Sequence, residues 1–272
     1  MRNGRKEMLK KSVLVVAVLL VATSLWAVPG PMDVSKTRHN LSSTSSALIP
    51  NNNTYPASNE DEVCIFCHTP HGGTMNTPLW NRPLPAASGF THYTSARVSA
   101  YVSTLPSNRN VNAESLLCMS CHDGTTAMNN IINNSNRTVG GDPDNGMAAM
   151  NHIITTGGAI GDIMDPGGVG TQGQSKNLSD DHPISFSYYS AWNHLANAGK
   201  LNRADGVLAN DPRADGIRLF GADAPGGQRV ECSSCHDPHV NHEAATGGNP
   251  AYTPFLVAPN TGSALCLSCH IK

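Results

Sequence analysis

The sequence predicts a mostly irregular, coil-rich fold with a few short helices and a minimal β-hairpin, wrapped around something other than its own side chains. Three observations lead there. Only 5% of the 272 residues are aromatic and 14% are charged. That is too apolar for a charge-driven disordered chain and too poor in large rings to fill an ordinary core. Glycine (25) and proline (18) are abundant, so regular structure should be sparse. All eight cysteines fall in one repeated pattern.

Residues 1–27 read as an export signal. Arg2, Arg5, Lys6, Lys10 and Lys11 form a basic segment, and Val13 to Ala22 is unbroken apolar chain. Small and helix-breaking residues follow, with the cut expected after Ala27 and Leu25 an atypical residue at the −3 position. The apolar run falls short of the roughly 20 residues of a membrane span; a retained N-terminal anchor is the alternative. Removal of this segment leaves 13 basic and 19 acidic residues, a net of −6 with no basic run, which argues against a nucleic-acid partner. The mature chain is expected to be soluble and exported.

The cysteine pattern is Cys64-x-x-Cys67-His68, Cys118-x-x-Cys121-His122, Cys232-x-x-Cys235-His236 and Cys266-x-x-Cys269-His270. C-x-x-C-H is the attachment motif of haem c. The two thiols add to the two porphyrin vinyl groups, and the adjacent imidazole ligates the iron. Structural zinc would use paired C-x-x-C units but gives no reason for a histidine after each one. Disulfides suit an exported chain, but cysteines two apart rarely bridge and the histidines would again be idle. Four covalently attached haems also answer the composition: each macrocycle is an apolar plate that replaces aromatic side chains, and without haem the chain should not fold.

A longer pattern occurs twice, dividing the single domain expected over 28–272 into halves at about 36–125 and 180–272. The first runs His39-Asn-Leu-Ser, Cys64-x-x-Cys67-His68-Thr-Pro-His71, Cys118-x-x-Cys121-His122. The second runs His182-Pro-Ile-Ser, Cys232-x-x-Cys235-His236-Asp-Pro-His239, Cys266-x-x-Cys269-His270. Four irons thus meet four candidate sixth ligands, His39, His71, His182 and His239. Three residues reach at most about 10 Å, so His71 and His239 cannot pass round the haem held by His68 or His236 and must serve a different one. Close packing of haems is the consequence. His92, His152, His194 and His242 lack repeated context, with His242 the first substitute. Met75, Met128, Met147, Met150 and Met164 would give His/Met ligation, although methionine is more often packing filler.

Short helices are expected from Asn112 to His122 and Thr261 to His270, and a longer one from Ser187 to Lys200. Ile217–Phe220 and Gln228–Glu231, joined through Pro225-Gly226-Gly227, resemble a hairpin. Residues 129–176 read as irregular loop. Gly141–Gly146 lacks the spacing of a calcium site, and the doubled Arg-Ala-Asp-Gly at 203–206 and 213–216 reads as two turns.

Taken together, Cys64-Ile-Phe-Cys67-His68-Thr-Pro-His71-Gly, Pro78-Leu-Trp80-Asn-Arg82, Cys118-Met-Ser-Cys121-His122-Asp-Gly-Thr, Asp181-His182-Pro-Ile-Ser and Cys232-Ser-Ser-Cys235-His236-Asp-Pro-His239 resemble the extracellular tetrahaem cytochromes of metal-respiring bacteria that polymerise into nanowires, the OmcE type. The resemblance runs from about Lys36 to His270. It implies bis-histidine ligation throughout, a coil-rich fold around a continuous haem chain, and a head-to-tail homopolymer in which one sixth ligand, carried onto His71, comes from the adjacent subunit. Val240 departs from the pattern, since glycine is common after the histidine; a changed local turn with intact ligation is expected.

The expected function is long-range electron transfer by hopping between four haems, for respiration to external acceptors such as metal oxides, loaded by periplasmic or outer-membrane donors. A non-enzymatic role follows from saturated irons, which cannot bind nitrite, hydroxylamine or peroxide. A monomeric periplasmic shuttle and a multihaem reductase are the alternatives; the reductase needs an open iron, and no C-x-x-C-K occurs. Subunits of net −6 repel, so a filament needs a short-ranged directional contact. His71 supplies one. The last attachment site, at Cys266, Cys269 and His270, is the expected acceptor because no histidine comes after it.

Overall fold

The computed structural model describes residues 32–45, 57, 59–74, 78–95, 98–123, 126, 128–135, 176–179, 181–197, 199–204, 211–222 and 224–271. The expected export signal, His152, Met75, Met147, Met150, Met164, the Gly141–Gly146 stretch and the end of the first Arg-Ala-Asp-Gly lie outside these residues. No helix among the described residues is long and apolar enough to cross a membrane.

Helix α1, Ala113–His122, carries the second cysteine motif on its last turn. Glu114 sits in the first turn, where the helix dipole favours an acid, and Leu116 and Met119, three apart, form its buried face. Asn112 occupies the cap position but does not cap: its Nδ2 donates to Glu231 Oε1 at 2.7 Å. Helix α2 covers only Tyr188–Trp192, and a single 3₁₀ turn follows at Leu195–Asn197. The expected helix to Lys200 is interrupted because Asn197 Nδ2 donates to the Ala191 carbonyl at 2.7 Å, taking the acceptor that the next turn would use. Helix α3, Cys232–Cys235, is the third motif itself, and its entry is fixed by the Glu231 N–H donating to Ser234 Oγ at 2.9 Å. Helix α4, Ala264–Cys269, carries the last motif behind the 3₁₀ turn Thr261–Ser263.

Strands are two residues long. Strand β1 (Thr91–His92) pairs in parallel with β2 (Asn177–Leu178), in register Thr91 to Asn177. Strand β3 (Phe186–Ser187) pairs antiparallel with β4 (Arg229–Val230). The expected hairpin is present in reduced form: Phe220 and Arg229 exchange backbone hydrogen bonds of 3.0 and 2.7 Å. The second Arg-Ala-Asp-Gly closes a 3₁₀ turn, Pro212–Asp215, with Gly216 left-handed at φ 92°. Val240 is buried and bridges antiparallel to Met32, an extended pairing where Gly72, its counterpart in the first half, turns at φ 68°.

The apolar core is divided among three clusters, and each touches motif cysteines. Leu41, Ile65, Phe66 and Met128 pack against Cys67 and Cys121. Phe90, Val111, Leu116 and Met119 pack against Cys232. Val102, Phe186, Tyr188 and Val230 pack against Cys269. A domain of ordinary build has one contiguous core; here the apolar residues are arranged around the attachment motifs.

Candidate cofactor-attachment sites

Each motif is held by backbone bonds that present its histidine. In the first, third and fourth, the histidine N–H donates to the carbonyl of the first cysteine at 2.8 Å (His68), 3.0 Å (His236) and 2.9 Å (His270), making one tight turn of C-x-x-C-H. A strap then crosses that turn. Pro78-Leu79-Trp80 lies across the first motif: Asn81 N donates to Cys67 O at 2.9 Å, Thr69 N to Leu79 O at 2.9 Å, and the Pro78 carbonyl lies 3.0 Å from His68 Nδ1. Pro254-Phe255-Leu256 repeats the arrangement on the third: Val257 N to Cys235 O at 2.9 Å, Asp237 N to Phe255 O at 2.7 Å, and Pro254 O 2.9 Å from His236 Nδ1. The middle residue of each strap is left-handed, Leu79 at φ 60° and Phe255 at φ 58°. Gly73 is required behind the first strap, since a Cβ there would lie 2.8 Å from Leu79 C and Trp80 O. Neither strap was expected from the sequence. Their signal is the proline that comes after the C-x-x-C-H-x-P-H block in each half.

Nδ1 engaged with a carbonyl leaves Nε2 free, the tautomer and orientation that metal-bound histidines adopt. His182 Nδ1 likewise lies 2.9 Å from Pro183 O, and His239 Nδ1 lies 2.7 Å from Asp237 Oδ1. The candidate ligands also meet in pairs. His68 faces His239 with ring centroids 6.2 Å apart and planes 16° apart. His39 faces His122 at 6.2 Å and 53°. His182 faces His270 at 6.4 Å and 71°. Two imidazoles bound on opposite sides of one metal place their centroids roughly 6 Å apart, given metal–nitrogen bonds of about 2 Å. Burial, followed by repulsion from neighbouring histidines, pushes His39 down to about 3 and His122 down to about 4, which favours the neutral ring at both.

Two candidates remain unmatched among the described residues, His71 and His236, both exposed. His71 projects beside an open cavity of about 1020 Å³ lined by Cys64, His68, Leu79 and Ile132. At the last site, expected from the sequence to accept His71 of another copy, His182 stands beside His270. It reaches that position from upstream, because the chain after it folds back until Leu201 bridges to His270 and Asn202 N donates to Cys269 O at 2.8 Å.

The motifs also adjoin in chain order. Cys67 and Cys121 share a cluster, and burial, reinforced by Cys121, pushes the Cys67 thiol up to about 12. The Cys118 and Cys232 thiols hydrogen-bond each other, and Cys235 lies within electrostatic reach of Cys266 and Cys269. Among the described residues no group of three or more His, Cys, Asp or Glu converges on one point.

The other described histidines differ in what they leave open, and His242 keeps a buried Nε2 without a partner among the described residues. His92 is buried with Nε2, the nitrogen a ligand would need, 2.9 Å from Arg109 O. His194 packs 6.3 Å from Tyr101. His242 stacks edge-on to Phe255 at 4.4 Å with Nδ1 3.2 Å from Thr253 Oγ1. Met128 is buried in the first cluster. No protein-family model matches the chain, and no curated protein matches it.

Proposed function

We propose that the chain is a c-type cytochrome holding four haems and conducting electrons along them, and that copies join head to tail into an extracellular filament. The observation that carries the reading is the set of three histidine pairs with ring centroids 6.2, 6.2 and 6.4 Å apart, each pair joining one motif histidine to one spare histidine from the repeat. A zinc site needs four converging donors, and the thiols and imidazoles here come instead as a cysteine pair, its adjacent histidine and a second imidazole opposite. Bound haem supplies a one-electron iron couple at each site. The cysteines would hold each macrocycle by thioether bonds, the straps orient the His68 and His236 rings through Nδ1, and the facing histidines would supply a second imidazole to the iron and keep small ligands from it.

Assembly follows from the pairing. His39 and His182, at equivalent places in the two halves, each serve the second motif of their own half. His239 of the second half serves the first motif of the first half. The equivalent step for His71 of the first half leads to the first motif of a second half, that of His236, and the reach limit allows this in another copy. An exposed donor at one site and an exposed acceptor at another make a heterologous contact that propagates.

The test is the exported holoprotein. It should carry four haems by mass spectrometry, be wholly low-spin when polymerised, and form filaments by negative stain. His71→Ala should keep four haems but lose filaments and show one high-spin iron. Normal filaments from that variant would sink the assembly, and fewer than four haems would sink the cytochrome reading.

A further inference from the structure

We propose that Asp237 is a positioning residue that strengthens His239 as an electron donor to iron, and so holds the site of Cys64, Cys67 and His68 at a lower reduction potential than the adjacent site between His39 and His122. This rests on the haem reading above.

The two sites differ in what stands behind their imidazoles. Asp237 is buried, and one of its oxygens, Oδ1, lies 2.7 Å from His239 Nδ1 while also accepting from the His239 N–H at 3.0 Å. Arg218 Nη2 donates to the other oxygen at 2.7 Å. The carboxylate is thereby fixed in orientation as well as position. Such a carboxylate draws the Nδ1 proton toward itself and makes the far nitrogen a more basic ligand. A more basic ligand stabilises the ferric over the ferrous state, and the negative charge acts in the same sense at short range. The neighbouring site has no such hydrogen bond, and the acids near it, Asp237 at His39 and Asp123 at His122, act on its rings through charge alone. His39 Nδ1 and His122 Nδ1 are both buried without a partner among the described residues, so neither ring is made more donating by a hydrogen bond.

The carboxylate is also specific to one half of the repeat. The first half has Thr69 at the matching position, and its hydroxyl donates to the His71 carbonyl at 2.9 Å, away from the ring. A carboxylate kept solely to shape the turn would serve both halves alike; here it accompanies the histidine that stays within its own chain.

The experiment is a spectroelectrochemical titration of the holoprotein, resolved into its components. His239→Met identifies the component of the first site and His39→Met that of the second. Asp237→Asn should move the first component to higher potential, and by more than the second, whose His39 also feels the Asp237 charge. Arg218→Gln keeps the carboxylate and removes its counter-charge, so it should move the same component to lower potential. Opposite signs from the two variants are the expected result, and a general loosening of the fold would not give them. A first component unmoved by Asp237→Asn, shifts of the same sign in both variants, or a first component above the second in the wild type would overturn the proposal. If His239→Met moves no component at all, the assignment of His239 to an iron fails and the proposal falls with it.

Discussion

Glu231 shows how much one side chain contributes to bringing two motifs together. It is almost wholly buried, and its carboxylate accepts from Asn112 Nδ2 at 2.7 Å, Ser115 Oγ at 2.6 Å and Ser185 Oγ at 3.0 Å. Ser115 Oγ also accepts the Cys232 N–H at 3.0 Å, so α1 and α3 are tied through one acid. Glu231→Ala leaves these donors unsatisfied and should cost about 2–4 kcal/mol in the holoprotein. Burial, only partly offset by the three donors, raises the Glu231 carboxyl above its ordinary value. The folded chain therefore binds this proton at a pH where the unfolded chain has lost it, and this group's contribution to stability falls as pH rises through that window. Thermal unfolding between pH 4 and 7 should show Glu231→Gln without that component; identical slopes in variant and wild type would refute it. The sequence marks Glu231 only as the residue before a motif. Its partners lie 116 and 46 residues away, and no local pattern announces them.

At the scale of elements, the straps are the feature that local reading missed and the cysteine motifs the feature it found. The motif is legible because two residue types are locked to one spacing in four copies. Its strap is not, because the proline carbonyl lies 10 residues after His68 but 18 after His236, and a variable gap hides the repeat. The helix expected over 187–200 failed for a related reason: one asparagine side chain outcompetes a helical turn. Strands of two residues carry no periodicity to read. The straps differ in what their left-handed residue does. Leu79 is exposed, so Leu79→Gly removes backbone strain and should leave stability within about 1 kcal/mol. Phe255 is wedged between His39 at 4.5 Å and His242 at 4.4 Å, so Phe255→Gly should cost about 2–4 kcal/mol. Denaturant unfolding of both variants checks the contrast, and equal effects would contradict it.

Across the whole molecule, the candidate ligands and the repeat are legible in the sequence, whereas the ring pairs needed the fold. His39 meets His122 across 83 residues and His239 meets His68 across 171, distances at which chain order says nothing about which ring faces which. The same holds at His270: the ring beside it, His182, lies 88 residues upstream, where chain order gives no hint of the contact. The angles between paired rings have a magnetic consequence. Imidazole planes fix the orientation of the iron orbitals that hold the unpaired electron of a low-spin ferric centre. Nearly parallel planes split those orbitals widely and give a rhombic resonance; nearly perpendicular planes leave them almost degenerate and give one strongly anisotropic low-field feature. With haem bound as proposed above, the His68–His239 pair at 16° would make a centre of the first kind and the His182–His270 pair at 71° one of the second, with the 53° pair between them. Low-temperature paramagnetic resonance of the oxidised protein should therefore separate the centres without mutation. His239→Met should remove the rhombic signal and His182→Met the low-field one; the reverse assignment would contradict these ring geometries.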